Sequence, residues 1–358
     1  MSEENPLHSN EPVRITLDEI AQVELPHQVA QALQPGGAEG SVYGRIHDAS
    51  DEGPEVAAEK GSLLLKGWFY LGVAGMVGAL FGWMIGEPFF VDGARGFHLG
   101  NLLMMPLVVA FMTLGLGIAE SLVERSWKRA LLRSALSLPL GMLLGMIISL
   151  MANMAFGMLL FMIFRMGVHD ESNPLFWIVR SLAWMIFGAA GGVVYGIVGQ
   201  SYKKGKFGVL GGVIGAALGG VLFDPITLLM HTTGATVSRA IGFALFGAAT
   251  GVLMGVVESV LKDRWLYVTA GPLAGKQFIL YKPVTVIGSA QSADLYLFKD
   301  ENILPLHARI VQHGARYLLE GFAPVSVRGM AIKSRVLIDD DLIQIGRYSF
   351  RYKEKKRA

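Results

Sequence analysis

No cysteine occurs in the 358 residues, which excludes a disulfide framework, a thiolate metal site and a cysteine nucleophile. Charge is sparse too: Asp, Glu, Lys and Arg make up 17% of the chain, and a formal net charge of +2 supplies no global field of the kind that draws nucleic acid. The first 25 residues hold no basic segment followed by an apolar one, so no cleaved secretory signal is expected there, and targeting falls to the first apolar run. No Ser/His, His/Glu or paired-carboxylate set falls inside the apolar runs. His98 and His231 have no second ligand at metal spacing. The expectation is therefore no enzyme, no metal and no cofactor.

What is abundant is apolar surface and glycine, at 52% and 45 residues, in the proportions of a chain with membrane helices. Residues 1–60 are the exception: rich in Glu, Pro, Gly and Ser and poor in aromatics, they read as a disordered tail, with a short amphipathic helix around ITLDEIAQVELPHQVAQALQ as the alternative. Residues 61–262 carry six apolar stretches, at about 67–86, 100–119, 136–163, 176–199, 207–223 and 240–257. A bilayer core about 30 Å thick needs about 20 helical residues, and these lengths suit it.

Six spans place both ends of the chain on one side. Lys60, Lys66, Arg125, Lys128, Arg129, Arg133, Lys203, Lys204, Lys206, Lys262 and Arg264 flank that side, against Arg95, Arg165, Arg180 and Arg239 on the other. Retention of basic residues in the cytoplasm then predicts a multi-pass plasma-membrane protein with cytoplasmic N and C termini.

The chain also resembles itself. RSLAWMIFGAAGGVVYG from Arg180 matches RAIGFALFGAATGVLMG from Arg239, ESLVERSW from Glu120 matches ESVLKDRW from Glu258, and Glu87-Pro88 matches Asp224-Pro225. The unit is a helical hairpin used three times, most diverged in the middle copy, where Asn153 stands near the acid-Pro position. Glycine stripes such as Gly72, Gly75, Gly78, Gly82 and Gly86 read as close-packing faces, with a pore lining as the sharper alternative. The middles of the spans carry no charge. Glu87, Asp224, Arg180 and Arg239 lie at the non-cytoplasmic ends as candidates for ion pairing or lipid-headgroup contact, whereas Glu120 and Glu258 read as local ion pairs of small worth.

Residues 263–358 change to short alternating stretches (RWLYVTA, QFILY, VTVIG, DLYLF, HARIVQ, ARYLLE, DLIQIG, SFRYK) with turn signals between them, the pattern of an all-β sandwich. The segments GPLAGKQFIL, VTVIGSAQSADLYL, ILPLHARI, VSVRGMAI and VLIDDDLIQIGRYSFRY resemble, in order and spacing, the forkhead-associated (FHA) domain over nearly all of residues 264–353. That resemblance implies a β-sandwich that reads phosphothreonine peptides with loops at one end. It also implies a cytoplasmic protein partner, phosphorylated or not.

The family's gripping residues are an Arg after the first Gly, a Ser three residues before the His, and an Asn in an Asn-Gly turn. Here those positions hold Ser289, Leu304 and Arg328, while Gly288, His307 and Gly329 match. Each lost charge-assisted hydrogen bond costs roughly 1.5–3 kcal/mol, so the replacements predict weak or absent phosphate binding unless Arg328 rebuilds an anion site. DDD at 339–341 reads as a turn, and GPLAGK is too short for a phosphate loop.

The expected fold is an α+β multidomain chain: a tail over 1–60, a six-helix transmembrane bundle of three hairpins over 61–262, and an FHA-like sandwich over 263–358. The expected function is interaction in signalling or scaffolding, with membrane lipid and a protein as partners. The alternative is a channel or transporter regulated by the sandwich.

Overall fold

The computed structural model describes residues 62–92, 98–169, 173–229 and 235–355, without the side chains of 223, 224, 226–229 and 235. The expectations for the tail over 1–60, and for His231 and Arg95, lie outside the described residues. All the described residues belong to one compact unit.

Six helices are long and apolar enough to cross a membrane. They are α1 (Gly67–Gly86), α2 (Leu99–Val123), α3 (Trp127–Arg165), α4 (Pro174–Val198), α5 (Tyr202–Leu229) and α6 (Ala235–Leu261). Each packs on the next, and α1 packs on α6, so the bundle closes into a ring in which α2, α4 and α6 also approach one another. Leu71, Val108, Met112, Ala190 and Phe246 are fully buried in its core.

Glycine sets the spacing: a Cβ built on Gly75 would lie 2.3 Å from the carbonyl oxygen of Gly247, and one on Gly188 would lie 2.1 Å from that of Gly212. Such approaches bring helix backbones into van der Waals contact, which is what holds helices together where water supplies no hydrophobic drive. The helix α3 is the outlier, 39 residues long with much of its apolar surface exposed. It starts at Trp127, well before the apolar run at 136, because the basic first turns continue the helix.

Two residues, Lys262 and Asp263, separate α6 from the first strand, as the short joint in the sequence implies. The strands are β1 (Arg264–Ala270), β2 (Gln277–Ile279), β3 (Val284–Gly288), β4 (Leu295–Tyr296), β5 (Ala308–His313), β6 (Arg316–Val327), β7 (Met330–Leu337), β8 (Leu342–Ile345) and β9 (Tyr348–Glu354). Their order is β2-β1-β9-β8-β6-β5-β3-β4, with β7 on β6. Strand β6 is the pivot. Its first half pairs with β5 and β7, a register shift interrupts it between Glu320 and Val325, and its second half pairs with β7 and β8. Alternate residues such as Leu266, Val268, Ile343, Ile345 and Phe350 point inward and are fully buried.

Strand β7 is largely exposed and carries Lys333, Ser334 and Arg335, the composition of a protected edge, so its alternation is not legible in the sequence.

Candidate functional site

At one end of the sandwich, four of the expected loop residues meet. Gly288 ends β3 beneath the following loop, where a Cβ would lie 2.1 Å from the carbonyl oxygen of Pro305, so only glycine fits. The Ser289 amide donates to Leu304 O at 2.9 Å, and its Oγ donates to Ile303 O at 2.6 Å. His307 is 2% exposed: its Nδ1 accepts from the Leu304 amide at 3.2 Å and its Nε2 donates to Pro324 O at 3.0 Å. The His307 carbonyl accepts from the amides of Phe322 and Ala323. The imidazole therefore ties three segments together as a brace, and the Ser289 hydroxyl proton is already committed to a carbonyl.

Outside this brace three large apolar side chains are exposed, with Lys299, Glu301 and Asn302 exposed earlier in the same loop. Leu304, Leu306 and Phe322 are 48%, 46% and 50% exposed, and the Arg309 guanidinium lies over the Phe322 ring at 5.3 Å while pairing with Glu320.

Arg328 and Gly329 are elsewhere. With φ of 51° and 78° they form the two-residue turn from Val327 to Met330, a left-handed pair suited to a tight hairpin. The Arg328 amide donates to Leu342 O, and its Nε donates to Asp341 Oδ1 at 2.6 Å. Asp341 is fully buried, caps the Ile338 amide through Oδ2 and accepts at its carbonyl from the Tyr352 amide on β9, the strand whose Glu354 pairs with Arg264 at the start of β1. Arg328 thus belongs to the end where the chain enters and leaves the sandwich, with its charge answered by a buried carboxylate. Beside His307 lies the irregular stretch of β6 at Gly321–Pro324, where Ala323 and Pro324 offer no side-chain donor. An anion site centred on Arg328 is not what this geometry builds.

The strongest polar cluster lies where the sandwich meets the bundle, on residues that sequence spacing does not single out. Lys276, at the end of the β1–β2 turn, donates to Glu124 on the α2–α3 turn at 2.6 Å, and the two side chains are 2% and 1% exposed. Arg129 on α3 pairs with Glu124 at 2.7 Å and donates to the carbonyls of Gln291 and Ala293 in the loop after Ser289. The Lys128 amide donates to Gln291 Oε1, and Lys282 pairs with Asp294 at 2.8 Å. The loop after Ser289 is thus held against the bundle.

Glu120 and Glu258 correct the expectation of weak local pairs. Glu120 accepts from Lys204 on α5 at 2.9 Å and from Arg133 on α3 at 3.1 Å, and Glu258 is 6% exposed with Tyr195 on α4 donating to it. Their partners lie on other helices, because the ring brings the charged helix ends together. At the far end of the bundle Glu87 pairs with Arg239 at 2.5 Å, with Trp83 donating to the same carboxylate and Asp92 on the other side of the guanidinium. Arg180 stands half-buried near the start of α4, and the Asp224 side chain lies outside the described residues. Among the described residues no three His, Asp or Glu side chains converge as metal ligands.

The joint itself contains a titratable group. Lys262 donates to Gln277, sits 4.2 Å from the Trp265 ring centroid and is pushed down to about 8 by desolvation. The folded state holds this proton less tightly than the unfolded chain, so stability rises as pH climbs from about 8 toward the ordinary lysine range, and below that window the burial penalty is paid in full. Lys262→Met is expected to raise the melting temperature of the full chain in detergent at pH 7 and to remove most of the wild-type gain between pH 7.5 and 10. Parallel pH profiles for the two proteins would rule this out.

The C-terminal part is an FHA-like β-sandwich carried after six long apolar helices. It is similar to the FhaA FHA domain solved in complex with an intracellular domain (21% identity, 25% of this chain and 100% of that one, TM-score 0.24). It is similar also to an FHA domain from Chlamydia trachomatis (25%, 26% and 100%, TM-score 0.25). A third is the cytoplasmic domain of the T3SS sorting platform protein PscD from P. aeruginosa (20%, 27% and 83%, TM-score 0.24). No family model and no curated protein matches the chain.

Proposed function

We propose that this chain is a multi-pass protein of the plasma membrane that holds its FHA-like sandwich at the cytoplasmic face, where the sandwich recruits a protein partner in signalling or scaffolding without requiring phosphothreonine. The observation that carries the reading is the loop corner around His307. Its fold-bracing contacts are intact, while Ser289 has spent its hydroxyl, Arg328 is withdrawn to Asp341, and the exposed large apolar residues are Leu304, Leu306 and Phe322. An apolar patch with one stacked arginine suits a protein surface better than a dianion, which needs a fork of donors. The basic residues at the sandwich end of the bundle support the cytoplasmic orientation.

The test uses the full chain in native membranes, crosslinked and purified with and without phosphatase treatment. Leu304→Asp combined with Phe322→Asp is expected to lose at least nine-tenths of the partner, and phosphatase is expected to leave it in place. Loss on phosphatase treatment, or retention by the double variant, would overturn the reading.

A further inference from the structure

We propose that the cavity between bundle and sandwich binds the phosphate of an anionic glycerophospholipid, a site that rests on the bundle spanning a bilayer. The cavity has a volume of about 550 Å³, within the range of small-molecule sites. Lys128, Arg129 and Arg133 on α3, Lys204 on α5 and Lys282 on the sandwich line it. The carboxylates on its wall are Glu120 and Asp294.

Glu120 is shared by Arg133 and Lys204, and Glu124 behind the wall is shared by Arg129 and Lys276. Lys282 has Asp294, and Lys128 adds a further charge to the wall. Six cations thus meet three carboxylates, or four when Glu258 beside Lys204 is counted, so the cluster keeps an excess of at least two positive charges. Lys204 and Lys276 are 5% and 1% exposed. Both have carboxylate partners; the unmatched charge is that of Lys128, exposed on the cavity wall, and an anion in the cavity would answer it.

The mouth of the cavity says which anion. Leu132 and Leu136 line it and are 73% and 47% exposed on the face of α3 that runs on into the apolar span. At a rise of about 1.5 Å per residue, Leu136 sits about 4.5 Å along α3 from Arg133, within the roughly 5–8 Å depth of a headgroup layer. A molecule with phosphate at one end and hydrocarbon at the other satisfies both walls. Free phosphate satisfies only the charge.

The full chain in neutral detergent is titrated with dioctanoyl phosphatidylglycerol, dioctanoyl phosphatidylcholine and inorganic phosphate, with bound ligand read by native mass spectrometry and by thermal shift. Saturable binding of phosphatidylglycerol is expected, at least tenfold tighter than either of the others. Lys128→Glu is expected to weaken it about tenfold, a change of one charge-assisted contact, and Lys206→Glu, the same charge change at an exposed residue outside the cavity, to leave it unaltered. Equal binding of phosphatidylcholine, inorganic phosphate binding as tightly as the lipid, or equal loss in both variants would each overturn the proposal. Carbonate extraction of membranes separates the two readings: release of the chain overturns the bilayer-spanning bundle, whereas retention without lipid selectivity overturns this site alone.

Discussion

Glu124→Ala is expected to cost the full chain about 3–5 kcal/mol, the loss seen when a buried ion pair is broken from one side. Glu124 is 1% exposed and answers two cations, Lys276 at 2.6 Å and Arg129 at 2.7 Å. Its removal leaves an ammonium and a guanidinium buried near one another without a counterion. Lys276→Ala is expected to cost less, because Arg129 still neutralises the carboxylate. Glu124→Leu with Lys276→Met should recover part of the loss, since the apolar pair avoids desolvating an ammonium and a carboxylate, while Arg129 keeps its carbonyl acceptors but no carboxylate. The measurement is chemical unfolding of the four proteins in the same detergent, together with the rate of proteolytic cleavage at the α6–β1 joint. If Glu124→Ala and Lys276→Ala both fall within 1 kcal/mol of wild type, the pair does not hold the sandwich to the bundle.

This contact changes what the loop corner around His307 can do. In a freely tethered sandwich the loop after Ser289 would be open to a peptide. Here its carbonyls at Gln291 and Ala293 are taken by Arg129, and a two-residue joint is stitched by Lys203 to Asp263 and by Lys355 to Val260 O. Hydrogen bonds from Arg129 and the Lys128 amide thus join α3 directly to that loop. Leu304, Leu306 and Phe322 lie outside this contact and stay exposed.

How much of this is legible in the sequence differs by link. The six long apolar helices are, because a long apolar run is a one-dimensional signal, and only the ends move: α3 begins at Trp127 since its charged turns are helical as well as basic. His307 and Gly288 are legible as brace and close approach because both act on backbone, which the spacing of the motif preserves. Arg328-Gly329 mimics the expected turn in composition, yet pairing places it one strand segment beyond the irregular stretch at Gly321–Pro324. Residue order alone does not separate two positions so close together. Glu120 and Lys276 are illegible for a different reason. Their partners stand on other helices or in the other layer, and nothing in ESLVERSW or GPLAGK records that closing the ring and docking the sandwich will bury them. Long-range electrostatics has no sequence period.

One substitution made at two glycines should give opposite signs. Gly157→Ala on α3 is expected to stabilise the chain by up to about 1 kcal/mol, since its Cβ meets nothing within 4 Å and alanine restricts the unfolded backbone. Gly75→Ala on α1 is expected to destabilise it by about 1–3 kcal/mol or more, the range for overpacking, because the new Cβ would stand 2.3 Å from the Gly247 carbonyl oxygen. That neighbour is helix backbone, so relief requires α1 and α6 to move apart. The approach is reciprocal: a Cβ on Gly247 would lie 2.2 Å from Gly75 O, and one on Gly251 would lie 2.0 Å from Leu71 O. Separation at one point therefore loosens the whole seam that closes the ring. A larger residue sharpens the contrast, with Gly75→Leu expected to prevent assembly of the bundle and Gly157→Leu to be tolerated on an exposed helix face. Unfolding midpoints in detergent, with cysteine crosslinking between α1 and α6 as a readout of the seam, decide it: equal behaviour of the two alanine variants would mean that glycine contact does not hold this bundle closed.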